Sequence, residues 1–181
     1  MKTTTHVRLL RMIFLGVIGL CGVSAASLCP QEPPAGPKEI AAPAGNQILL
    51  RAHAKGDQVY VCQQGVTQSA WRLKEPDAQL LDRDGKVLGK HFAGPSWQLN
   101  DGSRVKGDPE AKFDSPDRNA IPWLRLKVIE HEGNGVLSRV DTIQRINTKG
   151  GVAPLTGCDN GHAGKELRVP YEADYLFWAP K

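Results

Sequence analysis

The fold is decided by Gln79–Lys106, QLLDRDGKVLGKHFAGPSWQLNDGSRVK. Apolar and polar residues alternate here in short runs, interrupted by Asp84-Gly85 and Asp101-Gly102. An Asp-Gly pair between alternating runs signals a tight hairpin, because both residues tolerate the positive φ of a two-residue turn. Gln79–Asp82 should therefore pair with Lys86–Lys90, and Ser96–Leu99 with Arg104–Lys106. Working outward, Ile48–Ala54 and Gln58–Gln63 flank Lys55-Gly56 and predict another hairpin. Trp123–Glu130 alternates as WLRLKVIE, Glu132–Gly135 turns, and Leu137–Asn147 and Tyr171–Trp178 supply the last strands. Asp108–Pro122 contains three prolines and reads as a loop with room for one short helical turn. No fifteen-residue window keeps a 3.6-residue apolar period, and 13 prolines with 19 glycines punctuate the chain. About nine short strands at this spacing predict a single all-β domain, an antiparallel sandwich or barrel with little helix.

The ends of the chain carry different information. Residues 1–26 run from a basic zone through an apolar stretch, Met12–Leu20, to small residues ending at Ala25-Ala26. This is the pattern of a secretory signal peptide, with cleavage expected after Ala25 or Ala26. The apolar stretch is too short for a bilayer core that needs about 20 residues. Leu20 and Leu28 precede Cys21 and Cys29 where a lipid anchor would want a small residue. An exported protein, periplasmic or extracellular, soluble and without a lipid anchor, is expected. Residues 27–44 hold five prolines and little apolar bulk and read as a flexible leader, leaving 45–181 as the domain. The formal charge is +4, but Lys2, Arg8 and Arg11 lie in the signal, which leaves 20 basic against 19 acidic residues, or +1. A surface built for nucleic acid is not supported at that balance. No membrane span is expected, and a monomer is.

Without the signal, Cys29, Cys62 and Cys158 remain. Exported chains favour disulfides, and three cysteines allow three pairings with one thiol left over. Cys62 ends a strand-like run, QVYVC, and Cys158 lies in a Gly/Asn loop, TGCDNG, whereas Cys29 sits in the Pro-rich leader. The pairing Cys62–Cys158 is favoured over the other two and over free thiols.

Several familiar chemistries are missing. Asp82-Arg83-Asp84-Gly85 begins like a calcium loop, but Lys86 occupies a ligand position and a plain turn fits better. Glu130-His131-Glu132 lacks the second histidine of a zinc-protease motif, since residue 135 is Gly. No zinc spacing, nucleophile elbow or dinucleotide fingerprint occurs, so no metal, catalytic residue or cofactor is assigned. Two stretches are richer. His91-Phe92-Ala93-Gly94-Pro95-Ser96-Trp97 puts a titratable ring, two aromatics and a rigid turn within seven residues. On Ile143–Thr148, Ile143, Arg145 and Asn147 share one face, where Arg and Asn side by side could recognise a carboxylate or sugar hydroxyls. Trp97, Trp123, Tyr175 and Trp178 could floor a site or simply fill the core.

Five stretches together resemble a known secreted family, that of domain of unknown function 3455. They are GNQILLRAHAKG (Gly45–Gly56), HFAGPSW (His91–Trp97), AIPWL (Ala120–Leu124), IQRINTKGG (Ile143–Gly151) and TGCDNGHAGKELRVPYEADYLFW (Thr156–Trp178). The resemblance covers about residues 44–178. It implies one exported domain, with cysteines at the positions of Cys62 and Cys158 and no counterpart of Cys29. It brings no ligand or catalytic residue. Some members bear a dehydrogenase label, for which this chain offers no nucleotide fold. The leading expectation is a non-catalytic module for a small polar ligand or glycan, contacted by His91, Trp97, Arg145 and Asn147. One alternative is a metal-dependent or acid–base enzyme in which His91 converges with His53 or His162. Another is a structural or envelope-interaction protein.

Overall fold

The computed structural model describes residues 36–181. The signal expected at 1–26, the first part of the leader expected at 27–44 and Cys29 lie outside the described residues. Eight strands follow one another as an antiparallel meander: β1 (Asn46–Gln63), β2 (Ala70–Leu81), β3 (Val87–Phe92), β4 (Ser96–Leu99), β5 (Arg104–Phe113), β6 (Trp123–Glu132), β7 (Thr142–Gly150) and β8 (Glu166–Pro180). Each pairs with its neighbour in sequence, and β8 pairs with β1, so the sheet closes into a barrel. Closure removes the open edges that a sheet of this size would otherwise expose.

Both Asp-Gly hairpins form, with Gly85 at φ 80° and Gly102 at φ 86°. The hairpin expected at Lys55-Gly56 does not. β1 runs unbroken through it, and Gly56 pairs with Ala78 on one side and Tyr171 on the other. A Cβ at Gly56 would collide with the Asp77 carbonyl oxygen and Ala78 Cα. Glycine is there to let two strands approach, not to turn the chain. Two further expectations are corrected. Residues 108–113 belong to β5, which accommodates Pro109 beside a bulge. Residues 136–139 form a 3-10 turn, so the strand predicted from Leu137 begins at Thr142.

The interior is filled by side chains of alternating parity. Tyr171, Ala173, Tyr175 and Phe177 of β8 point inward, facing Ala52 and Ala54 of β1, Ala78 and Leu80 of β2, and Trp97 of β4. Small residues on β1 and β2 leave room for the large rings of β4 and β8, which suits a barrel of this strand number. Leu137 and Val140, from and just after the 3-10 turn, pack into the same core. A second apolar layer lies on the outside. Ile146, Leu176 and Trp178 are covered there by Ile40, which is fully buried. Gln144 Nε2 donates to the Ile40 carbonyl at 2.6 Å, and Arg125 donates to the Ala41 carbonyl at 2.9 Å. The described part of the leader is thus a strap across β6, β7 and β8.

Cys62 and Cys158 form a disulfide that ties the end of β1 to the long β7–β8 connection, with a sequence separation of 96. Closing a loop of that size is worth about 4–5 kcal/mol in the chain-entropy account. Urea denaturation of a Cys62→Ala/Cys158→Ala protein should show a loss of that order. Gly56→Ala should cost about 1–3 kcal/mol, the range for overpacking a filled site. A Gly56→Ala protein as stable as the parent would contradict the close-approach role.

Candidate functional site

The barrel is not filled throughout. β3 and β4 are short: pairing of β2 with β3 starts at Ala78, and pairing of β4 with β5 ends at Lys106. Beyond the β3–β4 turn, β2 and β5 face each other without a strand between them. Pro76 and Pro109 flank this window, and Gly94 and Pro95 form its sill. Proline lacks a backbone N–H, so it suits the side of a strand left without a partner. Behind the window lies a cavity of about 350 Å³, lined also by Leu73, Leu124 and Leu126. Its polar lining is Gln58, Lys74, Glu75, His91, Trp97, Arg145 and Tyr175.

The β3–β4 hairpin sets His91 opposite Trp97, so both rings leave the sheet on the inner face. They stack at 4.4 Å with planes 7° apart, and Tyr175 meets each of them edge-on at 5.1 and 5.4 Å. His91 is 2% exposed and Trp97 1%. His91 Nδ1 lies 2.8 Å from the Ser96 carbonyl oxygen. A carbonyl only accepts, so Nδ1 carries the proton of the neutral ring and Nε2 is bare. Burial pulls the His91 pKa down to about 3, against a smaller upward pull from the Ser96 hydrogen bond, and Arg145 lowers it further. The ring is uncharged at neutral pH. Phe92 points the other way, with Lys90 and Arg104 over its face at 5.1 and 5.2 Å.

Across the cavity, Leu124, Arg145 and Tyr175 are lateral neighbours on β6, β7 and β8. Arg145 donates from Nε and from a terminal nitrogen to the Pro122 carbonyl, at 3.1 and 2.8 Å, which fixes the plane of the guanidinium. No carboxylate pairs with it among the described residues. Burial raises the Tyr175 and Tyr171 hydroxyls well above the usual phenol range, and Arg145 offsets part of that rise. Trp97 Nε1 is buried and has no hydrogen-bond partner among the described residues. Gln58 and Tyr171 are buried neighbours, and Gln58 offsets part of the rise at the Tyr171 hydroxyl.

The structure therefore brings His91, Trp97 and Arg145 to one cavity. Asn147 lies elsewhere. A register shift after Ile146 and a positive φ of 52° at Asn147 turn its side chain outward, where it donates to Asp174 at 2.8 Å. His53 is also outside, 2.9 Å from Asp174, and His162 lies beside Asp159 in a 3-10 turn. The three histidines belong to different surroundings. Gln58 was not singled out in the sequence, although it shares parity with Ala52 and Ala54 and so is a polar residue on the core face. The false hairpin at Lys55-Gly56 broke that parity. Leu124, Pro76 and Pro109 give no signal beyond their being apolar.

The family described as Protein of unknown function (DUF3455) matches residues 43–179. The chain belongs to that family. No curated protein and no solved structure matches it at a significant level. Four of the five stretches that carry the resemblance meet at the cavity of this DUF3455 protein: through His91 and Trp97, through Pro122 and Leu124, through Arg145, and through Tyr175.

The low pKa of His91 has a measurable consequence. Below about 6.5 the unfolded chain binds a proton at His91 that the folded chain refuses until about pH 3. The histidine's contribution is complete above pH 6.5 and is lost as pH falls toward 3, by about 1.4 kcal/mol per unit within that window. The unfolding free energies of parent and His91→Gln should therefore converge as pH is lowered from 7 to 4. A difference between them that does not vary with pH would contradict a buried neutral His91.

Proposed function

We propose that this is an exported, non-catalytic binding protein that holds one small polar ligand inside its barrel. The observation that carries this reading is the cavity of about 350 Å³ behind the Pro76–Pro109 window, mostly apolar with a few convergent polar groups. Small-molecule sites have that make-up, and their volumes begin near 300 Å³. An eight-stranded barrel is just wide enough either to be filled or to hold one small ligand. His91, Trp97 and Arg145 are the proposed contacts, joined by Gln58 and Tyr175. A conjugate-acid pKa near 3 makes His91 a poor proton acceptor at neutral pH, which favours binding over acid–base catalysis. Export is supported by the Cys62–Cys158 disulfide and by the signal-like pattern of residues 1–26.

Native mass spectrometry of protein recovered from its own exported compartment tests this reading. The expected result is a non-covalent mass increment that disappears on denaturation. Leu124→Trp, which fills the cavity from β6, should abolish the increment while leaving the near-UV circular dichroism native-like. An increment that survives Leu124→Trp would place the ligand elsewhere, and a bare parent chain that gains nothing from a metabolite extract would remove the binding role.

A further inference from the structure

Arg145 is half-buried, and the acceptors that meet it among the described residues, the Pro122 carbonyl and the Tyr175 hydroxyl, are neutral. Its charge is felt by Tyr60, His91, Tyr171 and Tyr175, none of which is charged at neutral pH. The other charged groups of the cavity are Lys74 and Glu75, which lie 3.7 Å from each other, and Lys74 also bonds Glu166. Glu75 is thus already offset by a cation. Arg145 is not offset by any carboxylate among the described residues. A cation withdrawn from water without a counter-charge is costly, and the guanidinium fork is shaped for a carboxylate.

An uncompensated positive charge on the wall of a largely apolar recess calls for an occupant that is negatively charged and carries acceptor oxygens. The rest of the wall is Leu73, Pro76, Pro109, Leu124, Leu126 and the Trp97 ring, which offers nothing to a second charge and suits a flat apolar body.

We propose that the cavity is a receptor site for small planar monocarboxylates, with the carboxylate on Arg145 and the unsaturated or aromatic body against Leu73 and Leu124. This rests on the cavity being the binding site and goes beyond it by fixing the ligand class. A single-charged oxyanion matches the single unpaired guanidinium, and charge-assisted bonds to it are roughly twice as strong as neutral ones.

The test is titration of the isotope-labelled full domain with four probes: benzoate, benzamide, inorganic phosphate and glucose. The readout is the indole N–H resonance of Trp97, assigned with Trp97→Phe. Benzoate should shift it and bind at least tenfold more tightly than benzamide, and Arg145→Gln should erase that preference. Should Arg145→Gln fail to fold, Arg145→Lys should reduce the preference without removing it. Equal binding of benzamide or glucose, or a preference that survives in Arg145→Gln, would overturn the carboxylate class while the cavity stands as a binding site. Phosphate binding as tight as benzoate would overturn the need for a planar body. If none of the four moves any cavity resonance, the carboxylate proposal and the cavity reading fall together.

Discussion

Everything in this structure depends on β1 remaining one strand. Its first half pairs with the end of β8 and its second half with the start of β8, while β2 lies along its other side. A chain that turned at Lys55-Gly56 would have neither ladder in register, and the meander would stay an open sheet. Gly56 makes the continuity possible by removing the one side-chain atom that would push β2 away. Small inward residues on the same strand, Ala52 and Ala54, then leave space for Trp97, Tyr175 and Phe177. Backbone approach on one wall thus sets how much aromatic volume the barrel can enclose.

The cavity follows from strand length. β3 and β4 span only Val87–Phe92 and Ser96–Leu99, so the wall they form stops short of the end of the longer strands. The hairpin turn becomes the sill of a window, and prolines on either side tolerate the missing partner strand. The same short hairpin delivers the His91–Trp97 stack to the base of the opening. On the opposite side, three consecutive strands present Leu124, Arg145 and Tyr175 in a row. The result is an apolar recess with one cation that no carboxylate offsets among the described residues, a combination that a purely structural core would avoid because withdrawing an unpaired charge from water is costly.

Much of this was legible in the sequence, and the failures have physical causes. The Asp-Gly turns were read correctly because their signal is local: positive φ at the turn and alternation on either side. Gly56 was misread because the same residue type serves turns and close approaches, and the second role depends on a neighbour, Ala78, that lies far away in sequence. Pro109 and its neighbours read as loop because proline in a strand is tolerated only at a bulge or an open edge, and both are set by tertiary pairing. Of the proposed contacts, His91 and Trp97 stood out as rings on either side of a Gly-Pro turn and Arg145 by alternation along Ile143–Thr148, whereas Asn147 left that face through a bulge that alternation cannot reveal. Cys62 and Cys158 were distinguishable as a pair by their context and now hold the long β7–β8 connection to the barrel.

The central claim is that the recess behind the Pro76–Pro109 window is occupied when the protein works. The most direct test is a crystal structure of protein recovered from its own compartment and never denatured. The account predicts a small molecule in the recess, with acceptor atoms within hydrogen-bond distance of Arg145. Arg145 meeting only ordered water, with any co-purified molecule bound on the outer face, would contradict it.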